Sequence, residues 1–259
     1  MIVLFSDFGF NGPYLGQVKA VLHQEAPGVP VIDLFANAPA HDPRASAYLL
    51  AAYGAGFPPG FPESTVFFAV VDPGVGGARK PGVLEADGRW YVGPDNGLFE
   101  IIIRRAKAEP RWWDIRWRPE RLSETFHGRD LFAPVAARLA RGETPAPDNK
   151  DNADFKGSPL DGLRRSDWPD DLAEIIYIDD FGNAMTGIRA TSLDPARIIE
   201  VNGYEFSFAR TFAAAPAGRG FWYANSNGLV EIAINQGSAT DRYELKPGNE
   251  VTLGDDDDE

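Results

Sequence analysis

The apolar positions near the start of the chain fall into two alternating rhythms. Ile2 to Phe5 is a short continuous apolar run that breaks at Ser6-Asp7-Phe8-Gly9, the pattern of a buried strand opening into a loop. Leu15, Val18, Val21 and Leu22 then recur at helical spacing within Tyr14 to Glu25. Val29 to Leu34 reads as a second strand, Ala45 to Tyr53 as a second helix, and Thr65 to Val71 as a third strand, apolar at every position but the first. Strands that alternate with helices and are apolar on both faces predict a mostly parallel sheet covered on both sides, since parallel neighbours need crossover connections.

Further along, Gly82 to Ala86 and Trp90 to Val92 read as strands and Gly97 to Arg105 as a helix. Arg129 to Arg141 reads as another helix with Leu131, Val135 and Leu139 on its apolar face, and Pro134 near its start is compatible with a first turn. From Gly142 to Asp170 the chain turns polar and rich in Pro, Asp, Asn and Gly, which predicts a boundary between an N-terminal domain, 1–165, and a C-terminal domain, 166–259. Beyond it lie short strand-like runs, Glu174 to Ile178, Arg197 to Val201, Leu229 to Ile234 and Glu250 to Leu253, without a strong helix signal between them. That spacing predicts a small antiparallel β domain, barrel or sandwich.

Composition narrows the partners. The formal charge is −13, part of it in the terminal run Asp255 to Glu259, which reads as a solvated tail. No basic footprint stands out, which argues against nucleic acid as a partner, whereas a cationic small molecule suits an acidic protein. The chain has no cysteine, which removes disulfides, thiolate metal sites and a thiol nucleophile. No apolar run approaches the length of a membrane span, and Met1 to Phe5 is too short for a signal peptide. The expectation is a cytoplasmic protein without a membrane partner.

Three segments of the first domain carry candidate chemistry. Asp7 stands where the first strand delivers a carboxylate to the carboxyl end of the sheet, the edge at which open α/β architectures bind ligands. A carboxylate there can accept from two ribose hydroxyls, or simply tie down loop amides. In Val70-Val71-Asp72-Pro73-Gly74-Val75-Gly76-Gly77-Ala78-Arg79 a buried strand runs into an acid, a proline and three glycines. Proline biases Asp72 towards an extended conformation and the glycines permit close backbone approach. The glycine spacing matches neither phosphate-binding loop, and Arg79-Lys80 stands where such a loop needs Lys-Ser/Thr. A plain turn closed by an Asp72–Arg79 ion pair is the other reading. His127, in Phe126-His127-Gly128-Arg129-Asp130, falls in a glycine-containing loop at a helix entrance where Asp130 is placed to cap. His23 and His41 are the other histidines, and the three show no metal-ligand spacing.

Beyond the boundary, Ile178-Asp179-Asp180-Phe181-Gly182-Asn183 ends a strand with a carboxylate suited to a ligand amine and an amide that both donates and accepts, as a purine edge requires. Asn225-Ser226-Asn227-Gly228 precedes a strand in which Glu231 interrupts an otherwise apolar run, and a lone charge there ordinarily faces water. Trp112, Trp113 and Trp117 read as core packing or an oligomer contact.

Taken together, these segments resemble the S-adenosyl-L-methionine hydroxide adenosyltransferase family, metal-free hydrolases related to fluorinase and chlorinase. The resemblance runs from Asp7 to Ser226. It rests on Ser6-Asp7-Phe8-Gly9 with Pro13-Tyr14-Leu15-Gly16, Asp72-Pro73-Gly74-Val75-Gly76 with Arg79, Gly93-Pro94-Asp95-Asn96-Gly97, Phe126-His127-Gly128-Arg129-Asp130, Asp179 with Phe181-Gly182-Asn183, and Asn225-Ser226 with Gly228. It implies an N-terminal α/β sandwich domain, a C-terminal β-barrel domain, and a homotrimer with active sites between the N-terminal domain of one subunit and the C-terminal domain of its neighbour. Asp72, Arg79 and His127 would handle water; the halogenating relatives carry tyrosines at the positions of Asp72 and His127. Asp7 would bind the ribose hydroxyls, Asn183 the adenine, and Ser226 with Asp179 or Glu231 the methionine end, with Phe8 also among the substrate-binding residues. The sequence departs from the pattern at Gly12, Met185 and Asn227, where relatives carry aspartate, tryptophan and arginine.

The implied reaction is hydrolysis of S-adenosyl-L-methionine to adenosine and methionine by water attacking ribose C5′, with no metal or other cofactor. A sulfonium is already an excellent leaving group, so the remaining difficulty is holding water in line. Arginine stays protonated, which leaves Asp72 or His127 as the proton acceptor. The competing readings are a halide-using transferase on the same fold, a protein that binds the nucleoside without turnover, and a metal-dependent hydrolase.

Overall fold

The computed structural model describes residues 1–55, 60–145 and 153–254. The acidic run Asp255 to Glu259 and part of the polar boundary segment lie outside them. The chain divides into two compact units with the change at Arg165–Ser166.

In the first unit the elements follow one another as β1 (Ile2–Ser6), α1 (Tyr14–Glu25), β2 (Val31–Phe35), α2 (Pro43–Ala55), β3 (Val66–Val70), β4 (Pro81–Ala86), β5 (Arg89–Pro94), α3 (Glu100–Arg105), β6 (Arg111–Ile115), α4 (Ala133–Ala140) and β7 (Phe155–Ser158). The seven strands form one sheet in the order β2-β1-β3-β5-β4-β6-β7. It is parallel-rich, with β2, β1, β3, β5 and β6 running one way and β4 and β7 the other. β1 pairs in parallel with β2 and β3, and β3 with β5, while β4, β6 and β7 add on antiparallel. The switch is made by Asp87-Gly88, both at positive φ, which turn β4 directly into β5 as a hairpin instead of a crossover. The boundary segment also departs from expectation. β7 lies inside it and pairs with β6, Phe155 against Ile115, so its polar composition conceals an edge strand of the first sheet.

Alternate strand residues serve two cores. Ile2, Leu4, Val66, Phe68 and Val70 meet Leu15, Val18 and Leu22 of α1 and Val135, Ala136 and Leu139 of α4. On the opposite face Phe5 packs edge-on against Phe35, which meets Tyr53 of α2, while Phe67 stacks on Tyr91 and Tyr91 touches Phe99 beside α3. The burial of Ile2, Leu4, Val66 and Phe68 is complete. At about 1.5–3 kcal/mol for each large apolar side chain, this double-sided burial holds the carboxyl edges of β1 and β3 in a fixed register.

The segment leading into α4 is not plain α-helix. Gly128 to Phe132 forms one π-helical turn, closed by the Ala133 amide donating to the Gly128 carbonyl, and α4 starts at Ala133 with Pro134 in its first turn. Asp130 does not cap it. Its carboxylate accepts from the Ser123 amide and pairs with Arg129.

In the second unit β8 (Leu172–Ile178), β9 (Ala184–Arg189), β12 (Gly220–Ala224) and β13 (Leu229–Ile234) form a four-stranded antiparallel sheet ordered β12-β13-β9-β8. β10 (Ile199–Val201), β11 (Tyr204–Phe206) and β14 (Thr252–Leu253) form a second, ordered β11-β10-β14. Trp222, Phe206, Ile232, Val230 and Ile199 share its core. A short α-helix, α5 (Ala239–Tyr243), goes beyond the strand pattern read from the sequence, started by Ser238, whose hydroxyl accepts from the Asp241 amide.

Candidate active site

The loop after β3 turns back on itself because of its glycines. Gly76 sits at φ +78°, and a side-chain carbon there would lie 2.6 Å from the Glu124 carbonyl oxygen, so the loop docks against Glu124 as only glycine permits. This fold returns Arg79 to Asp72. Arg79 Nε donates to Asp72 Oδ2 at 2.9 Å and Nη2 donates to the same oxygen at 2.5 Å, while Oδ1 stands 3.1 Å from Nε. The side chains are only 5% and 9% exposed for Asp72 and Arg79, so this is a buried ion pair rather than a surface one. The guanidinium also lies 5.3 Å from the centroid of the Phe132 ring.

Arg79 continues to the histidine. Its Nη2 lies 2.9 Å from His127 Nδ1, and because a guanidinium has only donors, Nδ1 must accept. The neutral ring then carries its proton on Nε2. Burial, and next the Arg79 charge, hold the imidazole below its ordinary pKa, with Asp72 opposing. Asp72, Arg79 and His127 therefore form one hydrogen-bonded chain whose members come from the end of β3, the loop before β4 and the turn before α4.

Asp72 and His127 line a cavity of about 260 Å³ together with Asp7, Phe8, Tyr14 and His41. Asp7 Oδ2 accepts from the His41 amide at 3.1 Å, so its carboxylate does tie down a loop while facing the cavity. Phe8 packs edge-on against Phe68 and Phe126, and a side-chain carbon on Gly128 would come within 2.8 Å of its ring. Tyr14, His41, Thr125 and Phe126 are lining residues that sequence reasoning passed over. Tyr14 and Phe126 lie within the motifs that carry the family resemblance, but His41 has no local signal beyond its place before Asp42-Pro43; it adopts φ +58°, which turns its amide onto Asp7.

The first unit also has a more open cleft of about 560 Å³ that carries Arg129, Arg138 and Arg141. These arginines are already neutralised by Asp130, Asp154 and Glu143.

In the second unit Asp179 and Asn183 act as a pair. Asp179 Oδ1 accepts from the Phe181 and Asn183 amides at 2.9 and 2.8 Å, and Oδ2 from Asn183 Nδ2 at 2.9 Å. Glu231 is not water-facing; it is 2% exposed. Tyr223 donates to its Oε1 at 2.5 Å and Asn225 Nδ2 to its Oε2 at 2.7 Å, and burial pushes its carboxyl above the usual range. Asn225 in turn accepts from the Asn227 and Leu229 amides, shaping the turn that displays Ser226. Among the described residues no three His, Asp or Glu side chains converge as a metal site would require.

Residues 2–147 match the model of the SAM hydroxide adenosyltransferase N-terminal domain, and 173–252 that of the SAM hydroxide adenosyltransferase C-terminal domain. The chain belongs to the SAM hydroxide adenosyltransferase family. A relative in this family from Thermus thermophilus, named (R)-S-adenosyl-L-methionine hydrolase, is 38% identical across 97% of this chain and 98% of its own. One of the same name from Salinispora arenicola is 36% identical across 96% and 95%. Among solved structures, an uncharacterized conserved protein from Thermotoga maritima superposes with a TM-score of 0.84 at 28% identity, covering 98% of this chain and 100% of that one. The Asp72–Arg79–His127 chain falls within the SAM hydroxide adenosyltransferase N-terminal match, and Asp179, Asn183, Ser226 and Glu231 within the C-terminal one.

Proposed function

We propose that this chain hydrolyses S-adenosyl-L-methionine to adenosine and L-methionine by attack of water on ribose C5′. The observation that carries the reading is the Asp72–Arg79–His127 chain at the wall of the cavity. The relatives' name specifies the (R) configuration at sulfur, and that epimer is the substrate we assign. As the C5′–O bond forms, the C5′–S bond breaks, its electron pair leaves on the neutral thioether of methionine, and water gives up one proton.

The hydrogen bonds divide the labour. With Nδ1 engaged by Arg79, His127 presents Nε2–H as a donor that orients the water oxygen. Asp72, an acceptor only, takes the proton, and Arg79 braces both side chains and balances the charge. Positioning of this kind supplies about 7 kcal/mol or more in favourable intramolecular reactions. Asp7 serves the ribose hydroxyls beside Phe8, Asn183 the adenine and Ser226 the methionine end. Of the two carboxylates open to the methionine amine we assign Asp179, which is only partly buried, whereas Glu231 is 2% exposed. No resident cofactor enters this scheme.

The bridges Glu174–Glu250 and Phe208–Trp222 run between the margins of the two C-terminal sheets and support reading them as a barrel. The family resemblance supports a homotrimer, and the short apolar start at Met1 to Phe5 supports a cytoplasmic location. No helix among the described residues is long and apolar enough to cross a membrane.

The test is incubation of chelator-treated protein with each sulfonium epimer in oxygen-18 water. Labelled adenosine and unlabelled methionine are expected. Substrate returned unchanged in molar proportion to protein would replace this reading with nucleoside binding, and a chloride-dependent rate giving 5′-chloro-5′-deoxyadenosine would replace it with halide transfer.

A further inference from the structure

The Gly93-Pro94-Asp95-Asn96-Gly97 stretch plays no part in the reaction as written, yet it touches both ends of the loop that carries Asp72 and Arg79. Asn96 Nδ2 donates to the Val71 carbonyl at 2.8 Å, on the residue immediately before Asp72. The Asp95 amide donates to the Lys80 carbonyl, also at 2.8 Å, on the residue immediately after Arg79. Gly93 makes this reach possible. A side-chain carbon there would lie 2.1 Å from the Ala69 carbonyl oxygen, so β5 approaches β3 at a distance that only glycine allows. The Pro81–Pro94 and Gly82–Gly93 pairs of the β4–β5 ladder hold the stretch from its other side.

We propose that Asn96 is a positioning residue for the reaction: it anchors one end of the 72–79 loop while the Asp95 amide anchors the other, so the loop's span is set from outside. That span fixes the two-nitrogen grip of Arg79 on Asp72 and the reach of Arg79 to His127. The inference rests on the hydrolytic reading of those three residues. An amide is required at 96 because one group must donate to the Val71 carbonyl and accept from the Leu98 amide, 3.3 Å from Asn96 Oδ1. Aspartate offers acceptors alone and would set an oxygen against the buried Val71 carbonyl. Serine is too short to serve both ends.

Asn96→Asp, Asn96→Ser and the wild type are compared by steady-state kinetics, by thermal unfolding, and by NMR titration of His127 in the absence of substrate. In either variant kcat is expected to fall at least about tenfold with KM changed less than about threefold, since small misplacements cost catalysis more than binding. The loss should vanish in the Asp72→Asn background, because the two changes act through one pair. In Asn96→Ser, which adds no charge, the His127 titration should move up as Arg79 loosens its hold. Wild-type kcat and an unshifted His127 titration in folded Asn96→Ser would overturn the proposal, as would a loss that persists undiminished beside Asp72→Asn. Should Asn96→Asp not fold, Asn96→Ser alone decides. A wild type that releases no adenosine overturns the hydrolytic reading instead, and the His127 titration still reads the anchor.

Discussion

Arg79 donates to His127. The 2.9 Å contact between Nη2 and Nδ1 has one possible polarity, because arginine has no lone pair to offer, and it fixes which imidazole nitrogen bears the proton. Sequence reasoning left Asp72 and His127 as equal candidates to accept a proton from water. The contact separates them: a neutral ring whose free nitrogen already carries hydrogen donates to water, and in the proposed mechanism the carboxylate receives.

This arrangement predicts the acid side of the pH profile. Protonating Nδ1 would place a hydrogen against the guanidinium and break the contact, and burial and Arg79 hold the ring below its ordinary value of 6.5. Activity should therefore be level from neutrality down to about 6.5 and fall only below it. Stability moves in the same sense. Between 6.5 and the lower folded value the unfolded chain binds a proton that the folded chain refuses, so stability declines as pH falls through that window. Kinetics and denaturant unfolding at matched pH check both, and an acid limb that sets in above 6.5 would contradict the assignment.

Breaking the ion pair should cost more than the catalytic group alone. Asp72→Asn removes the proton acceptor, for which a loss of about 10²–10⁴ in kcat is expected. It also strands a guanidinium that is 9% exposed, at about 3–5 kcal/mol of folding stability. Arg79→Lys keeps the charge but not the fork, so it should fold better and still lose about a hundredfold in kcat, since one ammonium cannot hold Asp72 and His127 together. Adenosine release and urea unfolding on the two variants separate these effects.

How much of this was legible beforehand follows from the range of each signal. β1, α1 and β3, with Asp7 and Asp72 at their carboxyl edge, are written in short apolar runs and could be read directly. The β4–β5 hairpin is written too, in Asp87-Gly88, but the apolar runs that flank it specify two strands without their relative direction. β7 could not be read, because a four-residue edge strand with one buried aromatic, Phe155, is specified by its partner β6. The same limit hid the surroundings of Glu231. It pairs with Tyr223 across the β12–β13 ladder, and no local pattern records a partner supplied by register.

Gly76 tests the docking of the loop. Gly76→Ala puts a methyl group against the Glu124 carbonyl and leaves alanine in the left-handed region at φ +78°. Backbone strain of that kind costs about 1–3 kcal/mol. Because the contact joins the Asp72 loop to the segment that carries His127, kcat should fall while the variant remains folded in the cold. A variant with wild-type stability and rate would mean that the two loops are held together by other contacts.

Glu231 gives a prediction of opposite sign. Its carboxyl is 2% exposed, and burial raises its folded pKa above the ordinary 4.5, so the charge is a burden on the folded state. The stability it contributes is fully present below 4.5 and is lost as pH rises through the raised folded value. Glutamine is isosteric and bears no charge. It can accept from Asn225 with its oxygen and donate to the Tyr223 hydroxyl with its amide, keeping both links that shape the Ser226 turn. Glu231→Gln should therefore raise the thermal midpoint above that of the wild type at pH 8, with the advantage shrinking towards pH 4, and leave KM nearly unchanged. A large rise in KM with no gain in stability would instead make the Glu231 charge a direct contact to the methionine amine.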